Sequence, residues 1–215
     1  YIINTCERHI STGIFMATSE LHHLRDPNFK SDWLEYIKQD PVHDYTERPI
    51  DPRVRDDRNI FFLVTNGAVA GVLCVAFTQG IPHHINNIFD LSQPVLALKD
   101  ATHAIFYSVF RTDVTTEVKN VGAELINYAA GWIKENLPTV ANFVTMSPIP
   151  SLRTHFSDPP DRVDQVIELL KNRKDPVARF HLTNGAEVLQ VLADADNSTK
   201  RQEQSWGYMV NYRYL

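Results

Sequence analysis

The pattern of hydrophobic and polar residues predicts a β-hairpin over residues 60–78. Two apolar runs, residues 60–65 and 68–78, flank the pair Asn66-Gly67. Both central positions of a two-residue hairpin turn need positive φ, and Asn-Gly is a preferred pair there. The two runs are therefore expected to pair as antiparallel strands.

The next regular stretch, residues 103–150, is typical of a strand, a loop, a helix and a second strand. Residues 104–110 are rich in aromatic and β-branched side chains, and residues 140–146 regain that character. Between them, apolar residues recur at the spacing of one helix face. They are Val121, Leu125, Ile126, Ala129, Ala130, Ile133 and Leu137. The helix is expected to stop at Pro138, and Pro148 and Pro150 are expected to end the second strand.

This order of elements is a parallel βαβ crossover. In such a unit the first turn of the helix presents free backbone N–H groups to the loop that precedes it. Because those groups carry partial positive charge, the turn is a ready site for an anion.

The remaining segments complete an α/β domain with a mixed sheet. Residues 31–38 are expected to open a helix with Ser31 as its cap, and residues 162–171 to form a short amphipathic helix. Residues 187–192 and 208–214 are strand candidates. Residues 180–182 lead into the turn pair Asn184-Gly185, with no element assigned to them. Exposed connections are expected at residues 40–58, 79–102 and 153–160.

The chain has 215 residues, which is enough for one domain with a full core and a small N-terminal appendage. We divide it into an irregular, partly helical segment at residues 1–58 and an α/β domain at residues 59–215. A formal net charge of −5 argues against nucleic acid or an anionic membrane surface as the main partner. A homo-oligomer is left open.

Two cysteines, Cys6 and Cys74, are too few for a disulfide framework, so a reducing compartment is expected. The sequence shows neither a secretory leader nor an apolar stretch of about 20 residues that would span a bilayer. A cytoplasmic location is expected, with an organellar one left open because the first residue is Tyr rather than Met.

Three side chains are candidates for chemistry, and each has a plain alternative. Ser147 ends a buried strand before a proline, where serine is also common turn chemistry. His181 lies between apolar neighbours, as core histidines do, but its ordinary pKa of about 6.5 suits proton transfer. Tyr214, at the end of the last strand, is either a core aromatic or a partner of such a histidine.

A metal site is not expected. The pairs His22-His23 and His83-His84 are adjacent in sequence, and adjacent side chains diverge in both strands and helices. No carboxylate or cysteine lies at a ligand spacing from them.

Four motifs resemble the catalytic domain of the malonyl-CoA decarboxylase family. They are AIFYS at residues 104–108, SPIP at 147–150, DPVARFHLTNGA at 175–186 and MVNYRY at 209–214. The resemblance extends from about Phe61 to the C-terminus and keeps the relative spacing of the motifs. It implies a three-layer α/β/α domain of the GNAT acetyltransferase fold, with a mixed sheet whose two central strands splay. In that fold, the pantetheine arm of coenzyme A is expected to enter the gap between the two splayed strands. The pyrophosphate of coenzyme A is expected to bind at the start of the helix that follows.

The resemblance also implies roles for the three candidates. Ser147 corresponds to a catalytic serine and His181 to its acid partner, and both would contact the substrate. Tyr214 would hold the histidine or the substrate carboxylate. Loss of CO2 from a malonyl thioester leaves an enolate that must be stabilised by prearranged donors and then protonated. No metal or organic cofactor is required, since coenzyme A is part of the substrate.

The same resemblance assigns the coenzyme A pyrophosphate to one loop and the first helical turn after it. The residues are Glu117, Val118, Lys119, Asn120, Val121, Gly122 and Ala123. The general pattern has Gln or Arg at 117, Gly at 120 and Gly or Ala at 122, and only Gly122 keeps it. Decarboxylases carry Gln at 117 and an acidic residue at 120. We expect Asn120 to cap the helix and Lys119 to offset the charge of Glu117.

The function expected from these features is decarboxylation of malonyl-CoA, or of a malonyl group on another pantetheine carrier, to the acetyl thioester and CO2. The first alternative is an N- or S-acyltransferase that uses the same cleft. The second is a non-catalytic module that binds acyl thioesters. Incubation with malonyl-CoA alone separates the enzymes, because only a decarboxylase releases CO2 without an acceptor.

Overall fold

The computed structural model describes residues 19–44, 46–114 and 118–214. It contains an eight-stranded mixed sheet in the order β1-β2-β3-β4-β5-β8-β6, with β7 pairing β8. The strands are β1 (Ser19–His23), β2 (Arg58–Thr65), β3 (Ala68–Thr78), β4 (His103–Arg111), β5 (Asn142–Thr145), β6 (Ser147–Pro148), β7 (Ala186–Leu192) and β8 (Met209–Tyr214).

Helices cover the sheet on both faces. They are α1 (Asn86–Phe89), α2 (Val121–Asn136), α3 (Leu152–His155), α4 (Val163–Lys171), α5 (Pro176–Thr183) and α6 (Thr199–Ser205), with 3-10 helices at Ser31–Gln39, Asp51–Arg53 and Leu98–Asp100. One apolar cluster joins α2 to the sheet, another lies on the opposite face, and a third packs α4 and α5 onto β7 and β8. None of the helices in the described ranges is long and apolar enough to cross a membrane.

The predicted hairpin is confirmed. β2 and β3 pair antiparallel, and the turn between them has Asn66 at φ 51° and Gly67 at φ 81°. Positive φ at both positions is the geometry that the Asn-Gly pair favours. Every residue of β2 is buried, because helices or loops cover both of its faces.

The predicted crossover is also confirmed, with α2 connecting β4 to the parallel strand β5. These two strands pair only from His103–Phe106 against Asn142–Thr145. Beyond that point β4 continues to Arg111, while β5 ends and the chain restarts as β6, which pairs with β8 instead. The sheet therefore opens between β4 and β5, as expected of the splayed strands.

A bulge in β4 lies at this opening. Cys74 of β3 pairs with Ser108 and the next residue, Val75, pairs with Phe106, so that Tyr107 is the extra residue. Bulges re-aim side chains where regular pairing stops. The one here turns β4 at the point where it leaves β5.

A buried polar network holds the bulge from the far side of the sheet. His43 Nε2 donates to the Tyr107 carbonyl at 2.9 Å, and His43 Nδ1 accepts from Arg48 at 3.0 Å. Arg48 in turn binds both oxygens of Asp196, at 2.6 and 3.0 Å. Burial lowers the pKa of His43 to about 3, so the imidazole is neutral and can both donate and accept.

The segment before residue 58 differs in part from its prediction. The element at Ser31–Gln39 is a 3-10 helix whose N-cap is Lys30, so the expected cap at Ser31 is wrong. Lys30 has extended backbone angles and its side chain makes no capping hydrogen bond. Trp33 and Ile37 pack in the core cluster that contains β2 and β3 side chains. The division of the chain at residue 58 stays a prediction.

Candidate active site

A cleft of about 640 Å³ opens where β4 and β5 separate. Its walls come from the second half of β4, the first turn of α2, β6 and α5. Ser147 and His181 both line it, and so do four residues of the predicted phosphate site: Asn120, Val121, Gly122 and Ala123. Val118 and Lys119 precede these and are half-buried and exposed, respectively. Glu117 lies outside the described residues.

Ser147 and His181 are in direct contact at the inner end of the cleft. The Ser147 Oγ to His181 Nε2 distance is 3.1 Å. Ser147 is 5% exposed and His181 3% exposed. A hydroxyl and an imidazole within hydrogen-bond reach form the pair that general acid–base chemistry requires.

Tyr214 completes a hydrogen-bonded chain with this pair. Its hydroxyl lies 2.8 Å from His181 Nδ1. On its face the imidazole stacks on Tyr212, with ring centroids 4.6 Å apart and an interplanar angle of 24°. The histidine ring is therefore fixed both by its two nitrogens and by its face. The structure brings together all three residues that the sequence singled out.

Thr145, which the sequence analysis missed, sets the direction of these hydrogen bonds. Ser147 Oγ donates to Thr145 Oγ1 at 2.9 Å, and that oxygen also accepts the Tyr212 N–H at 3.0 Å. With its proton directed to Thr145, Ser147 accepts from His181 Nε2–H. His181 Nδ1 then accepts from the Tyr214 hydroxyl. Thr145 is two residues before Ser147, a spacing typical of side chains on one strand face.

Burial controls the protonation of the site. It lowers the pKa of His181 to about 3, and it raises the pKa of Tyr214 above its ordinary value. At neutral pH the free site therefore holds a neutral imidazole and a neutral phenol, as the hydrogen-bond directions require.

His181 reaches the cleft because α5 begins where it does. Asp175 is the N-cap, and its Oδ1 accepts from the N–H groups of Val177 at 2.9 Å and Ala178 at 3.0 Å. Its Oδ2 accepts from Ser151 Oγ at 2.7 Å, which ties the helix start to the turn after β6. No helix was predicted here from the sequence, although an acidic residue followed by Pro176 is a recognised helix start.

The first turn of α2 is shaped by two residues. Asn120 occupies the predicted N-cap position with φ 58°, but its side chain makes no capping hydrogen bond. A Cβ on Gly122 would lie 2.8 Å from Phe180 Cζ of α5. A side chain at position 122 would therefore force the Phe180 ring, which packs directly against the helix backbone, to shift.

Two residues that line the cleft, Tyr107 and Ser108, have buried hydroxyls with no hydrogen-bond partner in the described part of the chain. Ser108 follows the bulge residue, is 3% exposed and lines the cleft, yet its Oγ makes no hydrogen bond. A buried hydroxyl without a partner carries an energetic cost that a bound ligand can remove.

The described residues contain no group of three or more His, Cys, Asp or Glu side chains that could hold a metal ion. Of the two histidine pairs, His22-His23 belongs to β1 and His83-His84 to the connection before α1.

The open mixed sheet, the crossover helix and the cleft between the splayed strands define a GNAT-like domain. The loading GNATL domain of CurA from Lyngbya majuscula has this fold: its TM-score is 0.62 at 15% identity, over 92% of this chain and 97% of that one. A malonyl-CoA decarboxylase from Agrobacterium vitis has a TM-score of 0.75 at 25% identity, over 91% of this chain and 60% of that one.

The family model for the malonyl-CoA decarboxylase C-terminal domain matches residues 37–174 and 166–215. The chain belongs to the malonyl-CoA decarboxylase family. Its curated relatives include the mitochondrial malonyl-CoA decarboxylase of Anser anser anser, which is 25% identical over 242 residues and 81% of this chain. The chain spans 47% of that relative and 60% of the Agrobacterium vitis protein.

Proposed function

We propose that the chain converts malonyl-CoA, or a malonyl group on another pantetheine carrier, to the acetyl thioester and CO2. The observation that carries the proposal is the hydrogen-bonded chain Ser147–His181–Tyr214 at the inner end of the cleft, with 3.1 and 2.8 Å between successive partners. It occurs in a member of the malonyl-CoA decarboxylase family. Both observations favour this reaction over the acyltransferase and the non-catalytic module.

The reaction breaks the bond between the carboxylate carbon and C2 of the malonyl group. The electron pair moves into the thioester as an enolate, CO2 leaves, and C2 then takes up a proton. Hydrogen-bond donors that are already in place stabilise the enolate oxygen. The Ser147 hydroxyl becomes such a donor when its proton turns from Thr145 to the enolate oxygen, and the buried Ser108 hydroxyl is another polar group in the cleft wall.

His181 supplies the proton, although it is neutral in the free site. A malonyl carboxylate bound beside the ring is an anion in a poorly solvated place, and such an anion raises the pKa of a neighbouring imidazole. Substrate binding therefore draws one proton from solvent onto His181, which passes it to C2 directly or through Ser147. Tyr214 suits both states, since a phenol donates to Nδ1 of the neutral ring and accepts from Nδ1–H of the cation.

This chemistry uses no metal and no organic cofactor, because the thioester itself accepts the electron pair. We expect a chelator such as EDTA to leave turnover unchanged. Loss of turnover that only a divalent metal restores would contradict this part of the proposal.

Substitutions at the pair test the proposal. Ser147→Ala and His181→Asn are expected to lower kcat by roughly two to four orders of magnitude, the usual span for general acid–base assistance. Thermal stability should change little, and Tyr214→Phe should have a smaller effect. If activity and stability fall together in both variants, the residues are parts of the core rather than catalysts.

A further inference from the structure

The charged side chains in the cleft wall are all of one sign. Of the described residues that line the cleft, Arg111 and Arg179 alone carry full charge at neutral pH, and no carboxylate is among them. The chain as a whole has a formal net charge of −5. A cationic cleft in an acidic chain is a focused attraction for an anionic ligand.

Neither guanidinium is neutralised by a carboxylate within the described ranges. Both residues are exposed, and the one hydrogen bond of the Arg179 side chain is a long one of 3.4 Å to the Arg173 carbonyl. The buried arginines behave differently, since Arg48 and Arg53 are ion-paired at 2.6 and 2.7 Å. The two cleft arginines therefore keep their donors available.

The two arginines flank one junction of the fold. A Cβ built on Gly122 would lie 2.8 Å from Phe180 Cζ and 3.4 Å from Val109 Cγ2, so the first turn of α2, the middle of α5 and the end of β4 meet there. Arg111 is two residues beyond Val109 in regular register, and thus projects from the same face of β4. Arg179 directly precedes Phe180 on α5.

We propose that Arg111 and Arg179 form an anion-binding subsite at the outer end of the cleft, and that its ligand is the phosphate-bearing nucleotide end of a coenzyme A thioester. The inference rests on the proposed function and deepens it by choosing between the two carriers. Guanidinium groups bind phosphate oxygens through paired N–H donors.

Coenzyme A fits the subsite better than a carrier-protein arm does. Coenzyme A brings a pyrophosphate and a ribose phosphate, whereas the arm of a carrier protein brings one phosphodiester. Two guanidinium groups on different elements can bind several phosphates. Their positive charge also compensates for the loss of phosphate-binding residues where Glu117 and Asn120 depart from the family pattern. The inner end of the cleft, with Ser147 and His181, remains free for the acyl group.

The test is binding of coenzyme A and of pantetheine to the intact chain, measured by titration calorimetry. The variants are Arg111→Gln, Arg179→Gln and the double variant. Arg162→Gln is the matched control, because Arg162 is exposed, pairs with Asp164 and does not line the cleft. The double variant is expected to bind coenzyme A about tenfold more weakly at low salt, with a smaller difference at high salt. Pantetheine affinity should be the same in all variants.

The outcomes separate the subsite from the proposed reaction. Equal coenzyme A affinity in the double variant and the Arg162 control would overturn the subsite, and so would equal affinity of the unaltered chain for coenzyme A and pantetheine. Arginine-dependent binding of coenzyme A without release of CO2 from malonyl-CoA would support the subsite and reject the decarboxylase. In an active chain, the double variant should raise KM for malonyl-CoA with little change in kcat, because the phosphates keep their charge during the reaction.

Discussion

Acidification from pH 7 to pH 5 should destabilise the folded chain by about 2 kcal/mol through His181 alone. The cause is burial, which lowers the pKa of His181 from its ordinary value of 6.5 to about 3. Between these two values the unfolded chain binds a proton at this histidine and the folded chain does not. Stability is therefore full above pH 6.5 and falls as the pH decreases toward 3.

The size of this destabilisation is set by protonation of the unfolded chain. At pH 5 the pH lies 1.5 units below the ordinary histidine pKa of 6.5, and each unit is worth about 1.4 kcal/mol. Any folded-state pKa well below 5 gives the same result, because the folded ring then stays neutral at pH 5. His43, whose pKa burial also lowers to about 3, contributes in the same window and is present in every variant compared.

Urea unfolding at pH 7 and at pH 5, followed by tryptophan fluorescence, measures the effect. His181→Gln removes the titrating group, so its loss of unfolding free energy between the two pH values should be about 2 kcal/mol smaller than that of the unaltered chain. His155→Gln is the control, since His155 is exposed on α3, and it should follow the unaltered chain. Equal losses in all three proteins would refute the argument that His181 is buried in its neutral form.

Three further substitutions test particular contacts. Thr145→Val leaves the Tyr212 N–H without its partner, so it should reduce the free energy of unfolding by about 1–3 kcal/mol and also lower kcat. Thr145→Ser keeps the hydroxyl and should restore both. Equal stability and kcat for the two variants would contradict this role of Thr145. Gly122→Ala should raise KM for malonyl-CoA by displacing Phe180. Gly131→Ala is the control in the same helix: a Cβ there meets nothing within 4 Å, so KM should stay unchanged and the chain should be stabilised by up to about 1 kcal/mol. The same KM for both variants would refute the contact between Gly122 and Phe180. Lys119→Ala should raise KM for malonyl-CoA in a salt-dependent way with little change in kcat, and a fall in kcat alone would argue against a phosphate role.

Local patterns in the sequence were sufficient for the elements that depend on short-range chemistry. The Asn66-Gly67 turn and the apolar face of α2 were both predicted from a few neighbouring residues. Ser147 was singled out because a strand ends at a proline. α5 was missed although its start signal at Asp175 is also local, because the apolar residues around His181 are too few to show a helix period.

Other features have no local signal. The His43 contact to the Tyr107 carbonyl joins residues 64 positions apart, and the Arg48 pairing with Asp196 joins residues 148 apart. The bulge at Tyr107 depends on the register between β3 and β4, which the composition of β4 does not reveal. These features became visible only once the strands were paired, and they shape the cleft wall.

The proposed decarboxylation of malonyl-CoA depends on Ser147 and His181. The most direct measurement is incubation of the unaltered chain with malonyl-CoA in D2O without any acceptor, with CO2 and acetyl-CoA followed together. We expect equal amounts of the two products, one deuterium at C2 of the acetyl group, and roughly a hundredfold or greater loss of both products in Ser147→Ala and His181→Asn. Product formation only after an amine acceptor is added, or undiminished CO2 release by both variants, would contradict this expectation.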